Sequence, residues 1–380
     1  MKIGIIGAGR LGICFALLCE QAGHDVLVSD VRADYVKNLQ QKIISTNEPE
    51  VEGLLKSSTN LRATTSNEEV IKECDIIYTL VATPSTEEGD YDVSAVWKVV
   101  DDFKSVLPLE GKSFIVGCTT NPGDCNKIQK ELDSLGVKVF YNPEFIAQGS
   151  IIKDLRRADM VLIGGKEDET YQELVKLYYG IQGPEKEPRI SLMSTTAAEL
   201  VKLAVNCYLT TKISYANMIG QVMALSGLGD EISNVLDAIG ADSRVGNKYL
   251  KYGYGFGGPC LPRDNRAFAA YARSVGVQYN LGKVTDEINE EHTNFLSAYI
   301  ESQSNGLPLY FDYVSYKKGT DILTESQQLR LAVELLNGGH TVYIRDIPAV
   351  IEQIEYDLTL KFRDRVKFEE PTEEVYRVNL

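Results

Sequence analysis

Metal-ligating patterns are what this sequence most plainly lacks. Its 380 residues hold seven cysteines (Cys14, Cys19, Cys74, Cys118, Cys125, Cys207, Cys260) with no C-x-x-C pair among them, and only three histidines. Zinc needs clustered thiolates and imidazoles, so no metal centre is expected. Dispersed cysteines in a chain of this size read as reduced thiols, which makes the expected location cytoplasmic. No apolar run approaches the length of a membrane span, and the first apolar residues are broken by glycines rather than forming the core of a signal peptide. Positive charge is also short: 39 Lys and Arg against 54 Asp and Glu leave a formal net charge of -15. Without a basic cluster, neither nucleic acid nor a membrane surface is an expected partner. A single phosphorylated ligand held by local donors stays compatible with this balance.

The composition present is that of a globular protein, with 44% hydrophobic and 24% charged residues, and the length calls for two or three domains. Lys2-Ile3-Gly4-Ile5-Ile6 reads as a strand, Gly7-Ala8-Gly9-Arg10-Leu11-Gly12 as a glycine turn, and Leu11 to Gln21 as a helix. A second strand ends at Asp30. Each part suits dinucleotide binding for its own reason. Gly7 makes the tight turn, Gly9 lets backbone approach a pyrophosphate, Gly12 allows close helix packing, and Asp30 bonds ribose hydroxyls. A carboxylate there favours NAD over NADP, although Arg32 stands two residues away. Further strand candidates run into polar loops at Ala82-Thr83-Pro84-Ser85, Cys118-Thr119-Thr120-Asn121 and Asn142-Pro143-Glu144-Phe145. Ligands of doubly wound sheets bind at such carboxyl strand ends, but Asn-Pro-Glu is equally a plain turn.

From Ser194 the texture changes. Thr195 to Leu225 has no proline and one glycine, which predicts a single helix roughly 45 Å long. Glu199, Lys202 and Asn206 fall near one face of it, either as a solvated face or as a functional one. Gly255-Phe256-Gly257-Gly258-Pro259-Cys260-Leu261-Pro262-Arg263-Asp264 then sets a cysteine just before a helix start, with Pro262 suited to the first turn. Its glycines would let backbone approach a ligand closely. A thiol facing a helix N-terminus is favoured as thiolate, the reactive form. The alternative is a turn around a buried, inert cysteine. A second βαβ-like unit begins near residue 305, and beyond Pro348 an acidic tail with Glu369, Glu370, Glu373 and Glu374 is expected to be solvated.

Taken in order, Gly7 to Gly12 with Asp30, Thr83-Pro84-Ser85, Asn142-Pro143-Glu144-Phe145, Glu199-Leu200-Val201-Lys202 with Asn206, Asp242-Ser243-Arg244-Val245-Gly246 and Gly255 to Asp264 resemble the nucleotide-sugar 6-dehydrogenases over nearly the whole chain. The resemblance implies an α/β architecture in three parts. These are an N-terminal NAD-binding Rossmann domain (1–193), a central long-helix dimerisation domain with the cysteine loop (194–304), and a C-terminal Rossmann-like domain that holds the nucleotide sugar (305–380). It implies a homodimer and a four-electron oxidation of a sugar C6 alcohol to a carboxylate, using two NAD and one water.

In that scheme Cys260 captures the aldehyde as a thiohemiacetal that becomes a thioester. Lys202 and Asn206 stabilise the oxyanion, Glu144 acts on the hydrolytic water, and Asp264 and Thr119 hold that water. The cofactor would meet Gly7, Gly9, Arg10, Leu11, Gly12, Asp30, Thr83, Pro84, Thr119 and Lys317. The substrate would meet Glu144, Phe145, Lys202, Asn206, Gly257 and Cys260, while Arg244 would reach across the dimer to the substrate of the partner subunit. Tyr249, Tyr252 and Phe256 either line the nucleotide pocket or belong to the core. UDP-glucose ranks first as substrate, ahead of UDP-N-acetylhexosamines and GDP-mannose; a two-electron hydroxyacid dehydrogenase is the more distant alternative. The chain departs from the family pattern at Gln148, where a second acid is usual, and at Thr324, where an arginine is usual, which implies weaker cofactor or nucleotide binding or compensation by Lys317 or Lys318.

Overall fold

The computed structural model describes residues 1–183 and 187–380, which fall into two compact units, Met1–Lys202 and Leu203–Leu380. The first contains, in order, β1 (Lys2–Ile6), α1 (Arg10–Gln21), β2 (Asp25–Ser29), α2 (Ala33–Gln40), α3 (Val51–Ser57), β3 (Leu61–Thr64), α4 (Asn67–Glu73) and β4 (Ile76–Thr79). It continues through α5 (Ser94–Ser105), β5 (Ser113–Val116), α6 (Asp124–Leu132), β6 (Lys138–Tyr141), α7 (Ile151–Arg156), β7 (Val161–Gly164), α8 (Glu169–Gln182) and β8 (Ile190–Met193). The long α9 (Thr195–Leu225) starts here and runs on into the second unit.

The strands form one sheet in the order β3-β2-β1-β4-β5-β6-β7-β8, parallel except where β6 meets β7. The inner strands, buried on both faces, are almost wholly apolar, and the period of two sorts their side chains between two cores. Ile3, Ile5, Val26, Val28, Ile76, Tyr78 and Ile115 join α1 and α8 on one side. Ile6, Leu27, Ile77, Phe114 and Val116 join α4, α5 and α6 on the other. The result is a Rossmann domain, helices on both faces of a parallel sheet. Strand order reverses between β1 and β4, which puts the ligand crevice at the carboxyl ends of those two strands.

The second unit adds α10 (Ile232–Ala241), α11 (Leu261–Ser274), α12 (Leu281–Ser304), β9 (Leu309–Phe311), α13 (Gln327–Asn337), β10 (Val342–Ile344), α14 (Pro348–Phe362), β11 (Val366–Lys367) and β12 (Tyr376–Arg377). Its four strands are parallel in the order β11-β10-β9-β12, a small Rossmann-like sheet. The acidic residues beyond Pro348 are solvated as expected, but the stretch that carries them is anchored rather than loose. The four glutamates are exposed, but Val350, Ile354, Phe362, Val366 and Val378 enter the core. The acidic residues between these anchors mask their periodicity.

Candidate active site

The glycine turn after β1 has the form its sequence calls for. Gly7 sits at φ +99, and a methyl group on it would lie 2.7 Å from the Leu80 carbonyl oxygen; one on Gly12 would lie 2.0 Å from the Gly7 carbonyl oxygen. Those two glycines are therefore fixed by protein packing. Nothing lies within 4 Å of the corresponding position on Gly9, so open space meets the backbone at the N-terminus of α1, where the helix dipole favours an anion. At the end of β2, Asp30 accepts from the Arg32 backbone N–H at 3.0 Å and from its guanidinium at 2.8 Å. The Arg32 guanidinium also lies 4.2 Å from the Tyr35 ring centroid. Asp30 is held below the usual carboxylate range by Arg32 and by the Ala8 N–H, against the opposing effect of burial. An open pyrophosphate cradle with an ionised acid at the ribose end fits NAD.

Thr83 is buried and Pro84 exposed at the carboxyl end of β4. Arg10, at the start of α1, donates to Gln148 Oε1 at 3.1 Å, so the neutral residue at the departure position serves as a partner for Arg10. Arg10 and Gln148 are 138 residues apart in sequence.

Glu144 follows β6 and is partly buried. Desolvation pushes its carboxyl up to about 7, outweighing the pull of the Tyr178 hydroxyl and of the Lys202 ammonium. Lys202 Nζ donates to the Glu144 carbonyl oxygen at 2.8 Å and lies 4.7 Å from the Phe145 ring centroid. Glu144, Phe145 and Lys202 are thus brought together within the first unit. Glu199, which shares a helix face with Lys202 in the sequence pattern, has a different role. Wholly buried, it accepts from Thr120 Oγ1 at 2.8 Å, Gly123 N at 2.6 Å and Cys125 N at 2.9 Å, which caps α6 and fixes the loop that carries Thr119.

In the second unit, α11 begins at Cys260, its N-cap residue, with Pro262 in the first turn. All seven cysteines are reduced; six are buried, and Cys260 alone is exposed. Burial pushes the Cys14, Cys74 and Cys118 thiols up to about 12 and Cys207 to about 11, and raises Cys19 and Cys125 as well. Asp264, one turn into α11, is 2% exposed and accepts from Asn206 Nδ2 of α9. Lys202 and Asn206 are one turn apart on that helix.

Three glycines of the cysteine loop are required by protein packing, and one of them takes a positive φ. A methyl on Gly255 would meet Asn289 Oδ1 at 2.2 Å, on Gly257 the Glu325 carbonyl oxygen at 2.3 Å, and on Gly258, at φ +80, the Tyr316 ring at 2.5 Å. Asn289 clamps the loop by accepting from Phe256 N at 2.8 Å and donating to Phe256 O at 3.0 Å. Phe256 is 2% exposed, and the Tyr252 ring packs against Gly220 and edge-on to His292. Both aromatics therefore take the core alternative. Tyr249 is exposed at φ +62. Arg244, exposed, is held by Asp242 through hydrogen bonds of 3.0 and 2.6 Å. Lys317 is exposed, and its neighbour Lys318 lines a cavity of about 390 Å³ with Tyr254, Asp312 and Tyr313.

Sequence reasoning missed the buried partners of this machinery. Glu48 accepts from Gly149 N at 2.7 Å and Ile151 N at 3.3 Å, pinning the far end of the Glu144 loop. Tyr78, Asn142 and Tyr178 form a hydrogen-bonded set ending on Glu144. Long separations, 101 residues between Glu48 and Gly149, left no local signal.

A Rossmann domain with an open glycine cradle, followed by a helical region that presents an exposed thiol at a helix start, defines an NAD-dependent dehydrogenase. Residues 1–182 match the NAD binding domain of the UDP-glucose/GDP-mannose dehydrogenase family, and residues 196–291 match its central domain. The chain belongs to that family and is an NAD-dependent nucleotide-sugar 6-dehydrogenase. It is 28% identical to a UDP-glucose 6-dehydrogenase of Haloferax volcanii (90% of this chain, 82% of that one) and 29% identical to one of Pseudomonas aeruginosa (91% and 79%). Its fold is similar to a solved UDP-glucose dehydrogenase of Pyrobaculum islandicum at a TM-score of 0.85 and 27% identity, covering 97% of this chain and 86% of that one.

Proposed function

We propose that the chain converts the C6 alcohol of UDP-glucose to a carboxylate by two successive oxidations, with Cys260 as the covalent station between them. NAD held at Gly7, Gly9, Gly12 and Asp30 would supply the hydride acceptor for each oxidation. The Cys260 thiolate adds to the aldehyde carbon left by the first, giving a thiohemiacetal. Oxidation of that adduct gives a thioester, and water cleaves it, returning the thiol and releasing the acid. Lys202 and Asn206 stabilise the negative oxygen of the adduct. Glu144 removes a proton from the water, which Asp264 and Thr119 orient.

The observation that carries this reading is the thiol of Cys260, the one exposed cysteine of seven, at the N-cap of a helix whose first turn presents Asp264 to Asn206. Residues 1–193 take the role of the cofactor domain, 194–304 that of the central domain, and 305–380 that of the nucleotide-sugar domain, where the cavity beside Lys318 suits a nucleotide. A homodimer is supported by an exposed apolar stripe on α9. Tyr208, Tyr215, Met218, Val222 and Leu225 recur there at spacings of three, four and seven, as on a helix packed against another. Seven reduced thiols agree with a cytoplasmic location, and among the described residues no helix is long and apolar enough to cross a membrane.

Counting NADH released per sugar nucleotide, over UDP-glucose, UDP-N-acetylhexosamines and GDP-mannose, tests the proposal. Two NADH per UDP-glucose and no acid product in Cys260→Ala are expected. One NADH per substrate with Cys260 dispensable would instead mark a two-electron dehydrogenase.

A further inference from the structure

The buried set behind Glu144 contains a proton count that fixes more than geometry. Asn142 donates from Nδ2 to the Leu162 carbonyl at 2.9 Å, and a carbonyl can only accept. The Asn142 amide is thereby oriented, with Oδ1 facing two tyrosines. The Tyr78 hydroxyl lies 2.9 Å from Oδ1 and the Tyr178 hydroxyl 2.8 Å from it. The Tyr178 hydroxyl also contacts Glu144 Oε1. A phenol has one proton. If Glu144 were ionised, Tyr178 would face two acceptors with one proton, and one of its two contacts would set lone pair against lone pair in a buried place. Such an unmade buried hydrogen bond costs about 1–3 kcal/mol. If Glu144 carries a proton, every contact is satisfied. Glu144 donates to Tyr178, both tyrosines donate to Asn142 Oδ1, and Asn142 donates to Leu162.

We propose that Tyr178 is a positioning residue that accepts a hydrogen bond from a protonated Glu144 carboxyl in the resting enzyme. Glu144 then enters the cycle as an acid and acts on water only after releasing that proton to solvent. Four titratable groups are placed against it. Lys202 of α9 is bonded to the Glu144 main-chain oxygen, Tyr178 of α8 to its carboxyl, Tyr78 of β4 to the shared Asn142, and Cys19 of α1 is raised partly by the Glu144 charge. The Tyr178 hydroxyl and the Lys202 ammonium favour ionisation. Burial opposes it and brings the carboxyl to about 7, in keeping with the proton count. The mechanistic consequence rests on the function proposed above; the resting proton itself does not.

Infrared difference spectroscopy on the full-length protein, on the acid side of neutrality and without substrate, tests it. Glu144→Gln should lose one carbonyl band of a protonated carboxylic acid that the unaltered protein shows. Tyr178→Phe should keep that band but shift it, because its hydrogen-bond acceptor is gone, while Tyr78→Phe, which touches Asn142 alone, should leave it in place. Circular dichroism identifies any variant that fails to fold, and the comparison of unaltered protein with Glu144→Gln stands without the tyrosine variants. Absence of the band in the unaltered protein, or a band unmoved by Tyr178→Phe, overturns the proposal. A band present in a protein that releases no NADH from any sugar nucleotide would sink the functional reading and leave this one standing.

Discussion

Removing Glu199 should cost more stability than removing any exposed carboxylate of the chain. Its two oxygens satisfy the Thr120 hydroxyl and the backbone N–H groups of Gly123 and Cys125, all at 2.6 to 2.9 Å. Gly123 is the N-cap of α6 and Cys125 its second residue, so the carboxylate also answers the positive end of that helix. In Glu199→Ala three donors, those of Thr120 and Cys125 buried and that of Gly123 half-buried, lose their acceptor, at about 1–3 kcal/mol for each buried one. Against this stands the cost of burying the charge, since desolvation raises the Glu199 carboxyl above its ordinary value. Relief of that cost and entry of water bring the expected net loss to about 2–4 kcal/mol. Glu199→Gln separates hydrogen bonding from packing. It keeps the volume but turns an NH₂ group toward a donor, so it should lose about 1–2 kcal/mol. Urea unfolding followed by circular dichroism gives the stability change. Amide exchange at Gly123 and Cys125 reads the local effect, with a 2 kcal/mol loss appearing as roughly 30-fold faster exchange if the cap opens locally. A Gln variant within about 0.5 kcal/mol of the parent, with unchanged exchange at both amides, would refute the reasoning.

The two glycines of the cofactor turn should part company. Gly12→Ala drives a methyl to 2.0 Å from the Gly7 carbonyl oxygen and should destabilise the first unit by several kcal/mol, whereas Gly9→Ala meets only open space and should leave the unfolding midpoint near its original value while weakening NAD binding at least tenfold by calorimetry. Glu144 should impose a pH dependence on stability. Its folded value of about 7 exceeds the ordinary 4.5, so the folded state holds the extra proton between those limits, and stability is lost as pH rises through that window. The full loss is about 3 kcal/mol. Denaturant midpoints measured across the window should fall for the parent protein relative to Glu144→Gln; a difference that stays constant with pH would show that this carboxyl is not raised.

What was legible in the sequence was local. The strand, glycine turn and helix at the N-terminus announce themselves because each requirement falls within a few residues, and β1, β2, β4, β5 and β6 do so because burial on both faces leaves almost no polar residue in them. Strands such as β3, Leu61-Arg62-Ala63-Thr64, lie at an edge, mix polar and apolar residues, and passed unseen. The same limit hid α14 and β12, where neighbouring glutamates obscure the few residues that reach the core.

By itself, the sequence determined the class of chemistry: a dinucleotide cradle, a thiol at a helix start, and the residue types that serve acyl chemistry around it. Only the tertiary structure decided which of those residues are instruments and which are supports. Glu199 became a helix cap and the loop glycines became packing contacts, because burial and partner distance, not spacing, set what a side chain can do. The partners that govern Glu144 come from β4, the turn after β6 and α8, joined by hydrogen bonds that span up to 64 residues. A hydrogen bond across such a separation has no periodicity and no local propensity to betray it; it exists only once the sheet brings those segments together.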